Sequence, residues 1–217
     1  MIKKRVAVLI SGRGTNMAAL IEAAKDAAFP AAIALVLSNR PAAAGLGLAR
    51  AAAIATAVVD HTVYGKDREG FERKMQEALE AHRIELVCLA GFMRLFTPWF
   101  VGRWRDRMIN IHPALLPAFR GLDTHQQALA AGVKIHGASV HFVVSDMDAG
   151  PIIAQGAVGV RDDDTAATLA ARVLTIEHRI YPAALALLAA GRIKIVDGRC
   201  QIEGGGSAAG QLIVPEI

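Results

Sequence analysis

Two cysteines in 217 residues give no material for a disulfide framework, and a reducing compartment, the cytoplasm, is expected. Cys88 lies in the apolar run Leu86-Val87-Cys88-Leu89-Ala90, where a buried, inert thiol is expected. Apolar runs long enough to cross a bilayer are also missing. The longest, from Tyr181 to Ala190, follows directly on Glu177, His178 and Arg179 and has about half the length a spanning helix needs. The basic, apolar start Met1-Ile2-Lys3-Lys4-Arg5-Val6-Ala7-Val8-Leu9-Ile10 has the ingredients of a short signal peptide. It runs straight into Ser11-Gly12-Arg13-Gly14, however, which reads as a strand-to-helix turn, so a first core strand is preferred. Charge of neither sign dominates. The 24 basic and 20 acidic residues leave +4 and a pI near 9.3, which mildly favours anionic ligands but is no nucleic-acid footprint. The one dense basic patch, Arg103-Trp104-Arg105-Asp106-Arg107, reads as a solvated helix end. Neither a nucleic acid nor a membrane is expected as a partner.

Several catalytic signatures are absent as well. Without G-x-x-x-x-G-K-[ST] there is no phosphate loop of the nucleotide-hydrolase kind. Without G-x-S-x-G, and with Ser139 inside an expected strand, covalent catalysis by serine is poorly supported. His112, His125, His136 and His141 cluster in sequence, but no H-x-x-x-H occurs and neither cysteine is near. His136 and His141 should face opposite sides of a regular strand, so no metal is expected. There is no internal repeat or linker, and 53% hydrophobic residues suffice for one core.

What is present has a clear order. Residues 5–110 alternate short apolar, β-branched runs with Ala-rich stretches, as in a parallel sheet covered on both faces. Strands are expected at Arg5–Ser11, Ala32–Ser38, Ala55–Asp60, Leu86–Gly91 and Met108–Ile111, and helices near Asn16–Ala28, Ala42–Ala53, Arg68–His82 and Pro98–Arg103. After His112-Pro113 the character changes. Gly137–Val144 and Pro151–Val160 read as strands joined by the turn Ser145–Gly150, and a long helix starts near Thr165 with Asp162, Asp163 and Asp164 at its positive end. Pro182 is expected to kink or break it. Ile193–Val196 and Arg199–Ile202 flank the hairpin signal Asp197-Gly198, and Gly204-Gly205-Gly206-Ser207 opens an expected mobile tail. The expected class is α/β, with a Rossmann-like, mostly parallel central sheet, helices on both faces, and a C-terminal part with antiparallel strands and a long helix. Residues 1–217 are expected to form a single domain, 1–110 its Rossmann-like half and 111–217 the remainder.

Ser11-Gly12-Arg13-Gly14-Thr15-Asn16 ends the first strand and opens the first helix, so its backbone N–H groups and the helix dipole can face a phosphate. A dinucleotide fingerprint would have glycine where Met17 stands and an acidic residue where Asn39-Arg40 stand. NAD is thus disfavoured, and NADP stays open through Arg40. The structural alternative is a tight glycine turn with Asn16 as helix cap. Asn110 and His112 lie two apart at a strand end and point to one side, a carboxamide donor beside an imidazole. They fall at the carboxyl edge of the sheet, where open α/β folds bind ligands. Asp148 taken alone is a solvated turn carboxylate. If its turn folds back over the fifth strand, it can hold the His112 ring and support its charge.

Together, Ser11–Asn16, Leu89-Ala90-Gly91-Phe92-Met93-Arg94, Asn110-Ile111-His112-Pro113-Ala114-Leu115-Leu116-Pro117 and Met147–Ile153 resemble the phosphoribosylglycinamide formyltransferase family of purine synthesis, from Val6 to about Gly191. Asn-x-His with a downstream aspartate marks the wider folate formyltransferase superfamily. Gly14-Thr15-Asn16 and Glu177-His178-Arg179-Ile180-Tyr181-Pro182 are similar to this family in particular. The resemblance implies transfer of the formyl group of 10-formyltetrahydrofolate, a co-substrate, to the amine of glycinamide ribonucleotide, without metal, by a monomer or homodimer. It implies Asn110, His112 and Asp148 as the catalytic group, and Gly14, Thr15, Asn16 and Glu177 on the ribonucleotide. Arg68, Met93, Arg94, Leu95, Phe96 and Asn110 would contact the folate, with the turn from Val144 to Asp148 around the pterin. Ala114, Ala118 and Asp123 stand where serine, lysine and histidine are common in bacterial members, which bears on ligand affinity around Ala118–His125.

In such a reaction the acceptor amine is the nucleophile, which agrees with the missing serine and cysteine motifs. Asn110 and protonated His112 would stabilise the oxyanion, Asp148 would hold His112, and a water would relay protons. The rivals are methionyl-tRNA formyltransferases, whose additional C-terminal RNA-binding domain is not expected in the 217 residues read, and formyltetrahydrofolate hydrolases, whose N-terminal regulatory domain would be expected before a first strand that is read here from Arg5. A non-catalytic NADP- or nucleotide-binding regulator would explain Gly12-Arg13-Gly14 but not Asn110-Ile111-His112 with Asp148.

Overall fold

The structure, a computed structural model, describes residues 2–205 and 214. It divides into two compact units, one of residues 1–110 with 142–145, the other of residues 111–141 with 146–217.

In the first unit, Val6-Ala7-Val8-Leu9-Ile10 is apolar without alternation, and such a run needs cover on both faces. It forms the inner part of β1 (Lys4–Ile10), with all five side chains wholly buried. β1 pairs in parallel with β2 (Ala31–Ser38) and with β4 (Leu86–Leu89). β3 (Thr56–Val58) continues the parallel sheet beyond β2, and β5 (Met108–His112) continues it beyond β4. The connections are α1 (Thr15–Ala24), α2 (Gly45–Ala51), a 3₁₀ turn at His61–Tyr64, α3 (Arg68–Ala81) and α4 (Pro98–Arg103). Asp67 starts α3 by accepting the Gly70 N–H at 2.8 Å. Phe71, Met75 and Leu79, each four residues apart, then form its buried stripe. Burial of each is worth about 1.5–3 kcal/mol. Phe100 of α4 stacks on Phe96 in the segment that leads into the helix at 4.6 Å, and the indole of Trp104, just past the end of α4, donates to Gln76 Oε1 of α3 at 2.9 Å.

The second unit holds α5 (Thr124–Ala130), β6 (Ile135–Phe142), antiparallel β7 (Ile152–Gly159), α6 (Ala166–Ala189) and the hairpin β8 (Ile193–Val196) and β9 (Arg199–Ile202). Residue 153 is the extra residue of a bulge in β7, since Val140 faces Ala154 while His141 faces Ile152. A Cβ on Gly156 would stand 2.0 Å from Ile176 Cγ2, so α6 crosses β7 where only glycine fits. Thr165 and Thr168 form a capping box at the start of α6. Just ahead of it, Arg172 bonds to Asp164 and holds that carboxyl well below the usual range.

The strand order of the sheet is β3-β2-β1-β4-β5-β6-β7, with β8-β9 a separate pair. This is the expected α/β class, but four local readings need correction. α6 runs unbroken through Pro182. The proline removes one backbone donor, yet Tyr181, Ala184 and Leu185 beside it are wholly buried, and packing holds the helix. Asn16 is not the cap of α1. Gly14 takes that place at φ +77°, with no side-chain cap bond. β3 is half as long as expected, and both α5 and the 3₁₀ turn were unforeseen. From Gly206 on, the expected tail lies outside the described residues, apart from Val214. Among the described residues, no helix is long and apolar enough to cross a membrane.

Candidate active site

The glycine loop of the first unit is shaped by close approach. A Cβ on Gly14 would stand 3.0 Å from Gly45 Cα and from Met17 Cε, and one on Gly45 would stand 2.6 Å from Ile10 Cδ1. The Gly45 N–H donates to Gly12 O at 3.0 Å, so the start of α2 fastens the loop from outside. Gly45 carries no chemistry, and only its position after an Ala-rich stretch hinted at it.

Of the expected folate contacts, Arg68, Met93, Arg94, Leu95, Phe96, Asn110 and Val144 belong to the same unit, and Asp148 to the second. Arg68, at the start of α3, donates from its guanidinium to the Leu95 carbonyl at 2.6 Å. Buried Glu72, one turn on, accepts the Thr97 N–H at 2.6 Å and also bonds the Thr97 hydroxyl. Met93, Leu95 and Val144 are exposed, whereas Phe96 stacks between Phe92 and Phe100. Ser11 Oγ accepts the Met93 N–H at 2.8 Å and donates to Asn39 Oδ1 at 2.6 Å.

Asn110 and His112 close β5, and the chain then enters a segment pinned from several sides. Buried Ser139 of β6 donates to Ala114 O at 2.7 Å and accepts the Leu116 N–H at 3.0 Å, while the Thr124 hydroxyl donates to Pro113 O at 2.7 Å. Ser139 is thus spent on structure. Within the second unit these constraints bring His112 and Asp148 together, as the sequence suggested. His112 Nδ1 lies 3.4 Å from Asp148 Oδ2, and both side chains are largely buried. The other oxygen, Oδ1, is 3.6 Å from His141 Nε2, and Oδ2 also accepts the Gly121 N–H at 3.0 Å. His141 was weighed only as a metal ligand from its spacing. In the structure it stands near the end of β6 and reaches Asp148.

His112 Nε2 lies 2.9 Å from the Phe119 carbonyl. A carbonyl can only accept, so Nε2 carries hydrogen. Both ring nitrogens therefore face oxygens, and an imidazolium satisfies the two at once. Phe119 itself has φ +54°, a strained conformation for a bulky residue.

Burial raises the Asp148 pKa. The bond from His141, the Gly121 N–H and the charges of both histidines outweigh it and leave the pKa below its ordinary value, so the carboxylate is ionised at neutral pH. The neighbouring imidazoles behave in the opposite way. His136, wholly buried, is pushed down to about 4 by burial and then by His125, which is itself lowered by burial. His136 meets His125 and Phe119 edge to face at 5.3 and 5.9 Å. Glu177 is buried on α6, on the same face as Val173 and Tyr181. Among the described residues no group of three or more His, Cys, Asp or Glu is placed to hold a metal.

A buried carboxylate against an imidazole, with a carboxamide two residues earlier on the strand, is equipped to stabilise an oxyanion and to manage a proton. Comparison with known proteins gives the family. The Formyl transferase family model matches residues 4–185. Escherichia coli phosphoribosylglycinamide formyltransferase is 41% identical over 199 residues, which cover 92% of this chain and 93% of that protein. The human trifunctional purine biosynthetic protein adenosine-3 is 49% identical over 193 residues, 89% of this chain. The chain spans only 19% of that relative's length. The crystal structure of glycinamide ribonucleotide transformylase 1 from Symbiobacterium toebii matches with a TM-score of 0.90 at 44% identity, covering 93% of this chain and 94% of that one. A formyltetrahydrofolate deformylase from Pseudomonas syringae pv. tomato matches at 0.85 and 27% identity, and this chain covers 66% of it. The chain belongs to the formyl transferase family, on its phosphoribosylglycinamide formyltransferase branch.

Proposed function

We propose that the protein moves the formyl group of 10-formyltetrahydrofolate to the amine of glycinamide ribonucleotide, and that 1–217 works as one formyltransferase domain. The observation that carries this reading is the Asp148 carboxylate against the His112 ring, with Asn110 two residues earlier on β5. The folate supplies an activated formyl carbon, and the amine attacks it. Asn110 donates an N–H to the oxygen that becomes negative, and His112 donates its Nε2 hydrogen to the same oxygen in place of the Phe119 carbonyl. Asp148 holds the ring at Nδ1 and supports its positive charge. A water beside Asp148 carries a proton from the attacking amine to the departing folate nitrogen, so the C–N bond formed to the acceptor replaces the one broken at the folate.

Gly14, Thr15 and Asn16, with Glu177, bind the ribonucleotide, the loop N–H groups facing its phosphate. Arg68, Met93, Arg94, Leu95 and Phe96 hold the folate with Asn110, and the turn from Val144 to Asp148 covers its pterin. Hydrolysis is the second reading, favoured by the likeness to the deformylase. It would use the same three residues with water in place of the amine. Release of tetrahydrofolate with glycinamide ribonucleotide, compared with release in water alone, separates the two.

A further inference from the structure

Ser11 opens the glycine loop, so its obvious assignment is to the ribonucleotide. Its side chain says otherwise. Ser11 is 4% exposed, and its hydroxyl both donates and accepts inside the first unit. It donates to Asn39 Oδ1 at 2.6 Å and accepts the Met93 N–H at 2.8 Å, while the Ser11 N–H donates to the Gly91 carbonyl at 3.1 Å. Asn39 is wholly buried just past the end of β2, and His61 Nδ1 lies 2.9 Å from its backbone carbonyl and 3.3 Å from its side-chain Nδ2. A chain of hydrogen bonds thus runs from His61 through Asn39 and Ser11 to the backbone at Met93. Gly91, where β4 has ended, has φ +72°, and Met93 and Leu95 beyond it are exposed. Between Leu89 and α4 the segment has no strand or helix of its own, so its position depends on such bonds. Arg68 at Leu95 and Glu72 at Thr97 fix its far half, and Ser11 fixes its near half.

We propose that Ser11 is a positioning residue for the folate side of the reaction, held in register by Asn39, although it stands in the loop assigned to the ribonucleotide. This inference rests on the functional reading above. The Met93 N–H is partly buried and its bond to Ser11 ties an otherwise irregular segment down, so without the Ser11 hydroxyl Met93 is released to seek another partner and takes the neighbouring folate contacts with it. No reacting atom is touched, so the effect falls on folate binding.

The test is steady-state kinetics and tetrahydrofolate titration of the full chain as wild type, Ser11→Ala, Asn39→Ala and the double variant. Ser11→Ala is expected to raise the folate KM and the tetrahydrofolate Kd together by about five- to thirty-fold, with the ribonucleotide KM changed by less than about twofold. The double variant should be little worse than either single one, since both remove the same chain of bonds. Ser11→Cys, which keeps the side-chain shape with a somewhat larger atom that is a weaker donor and acceptor, should fall between wild type and alanine, and it carries the test alone if the alanine variant fails to fold. An unchanged folate KM and Kd in Ser11→Ala or Ser11→Cys, or an equal loss for both substrates, overturns the proposal while the functional reading stands. Wild-type protein that binds no tetrahydrofolate overturns the functional reading and this proposal with it.

Discussion

Asp148 Oδ2 stands 3.4 Å from His112 Nδ1, joining an irregular turn to the end of β5. Asp148→Asn keeps the shape of the side chain but removes its charge. Turnover is expected to fall by roughly 10²- to 10⁴-fold, with both KM values within a few-fold of wild type. The melting temperature should fall at neutral pH, because the lowered Asp148 pKa means that its ionised form stabilises the fold there, while the variant remains folded. Turnover close to wild type would make Asp148 an ordinary turn residue.

The glycine loop gives a second prediction. Asn16→Ala should raise the ribonucleotide KM more than the folate KM, because the loop faces the phosphate. Gly14→Ala should harm both stability and ribonucleotide binding, since φ is +77° and the new Cβ would meet Gly45 and Met17 at 3.0 Å. Equal KM effects for the two substrates in Asn16→Ala would remove the assignment.

The core of the fold was legible because its signals are redundant. Val6–Ile10 is apolar on both faces, and Pro98–Arg103 starts at a proline and ends as expected. Asn110 and His112 were legible from alternation alone. Their partner Asp148 could be named only on the condition that its turn folds back over β5, because which turn reaches β5 depends on the bulge at Ile153 and on Ser139 holding Ala114 and Leu116. Ser11, Asn39 and Glu72 were invisible for a related reason, as ordinary polar residues that matter through bonds distant in sequence. α5 is short and has no apolar period, and Pro182 misled because tertiary packing overrides local preference.

Burial of His136 gives a pH prediction. Its pKa is about 4 in the fold against an ordinary 6.5, so between these values the unfolded chain binds more protons than the folded one. Stability therefore rises with pH across that window and is lost as pH falls from 6.5 toward 4. The lowered His125 and His178 act in the same direction. The melting temperature should drop over this range, and His136→Gln should flatten the drop even if it lowers stability at neutral pH. Parallel curves for the two proteins would refute the assignment.

The central claim is tested most directly by incubating the purified protein with 10-formyltetrahydrofolate and following release of tetrahydrofolate with glycinamide ribonucleotide, initiator methionyl-tRNA or water as acceptor. The account predicts rapid release with glycinamide ribonucleotide alone, with the formyl group recovered on its amine, undiminished by a chelator and without any nicotinamide cofactor. Equal release in water, transfer to the tRNA, or activity lost to the chelator and restored specifically by zinc would contradict it.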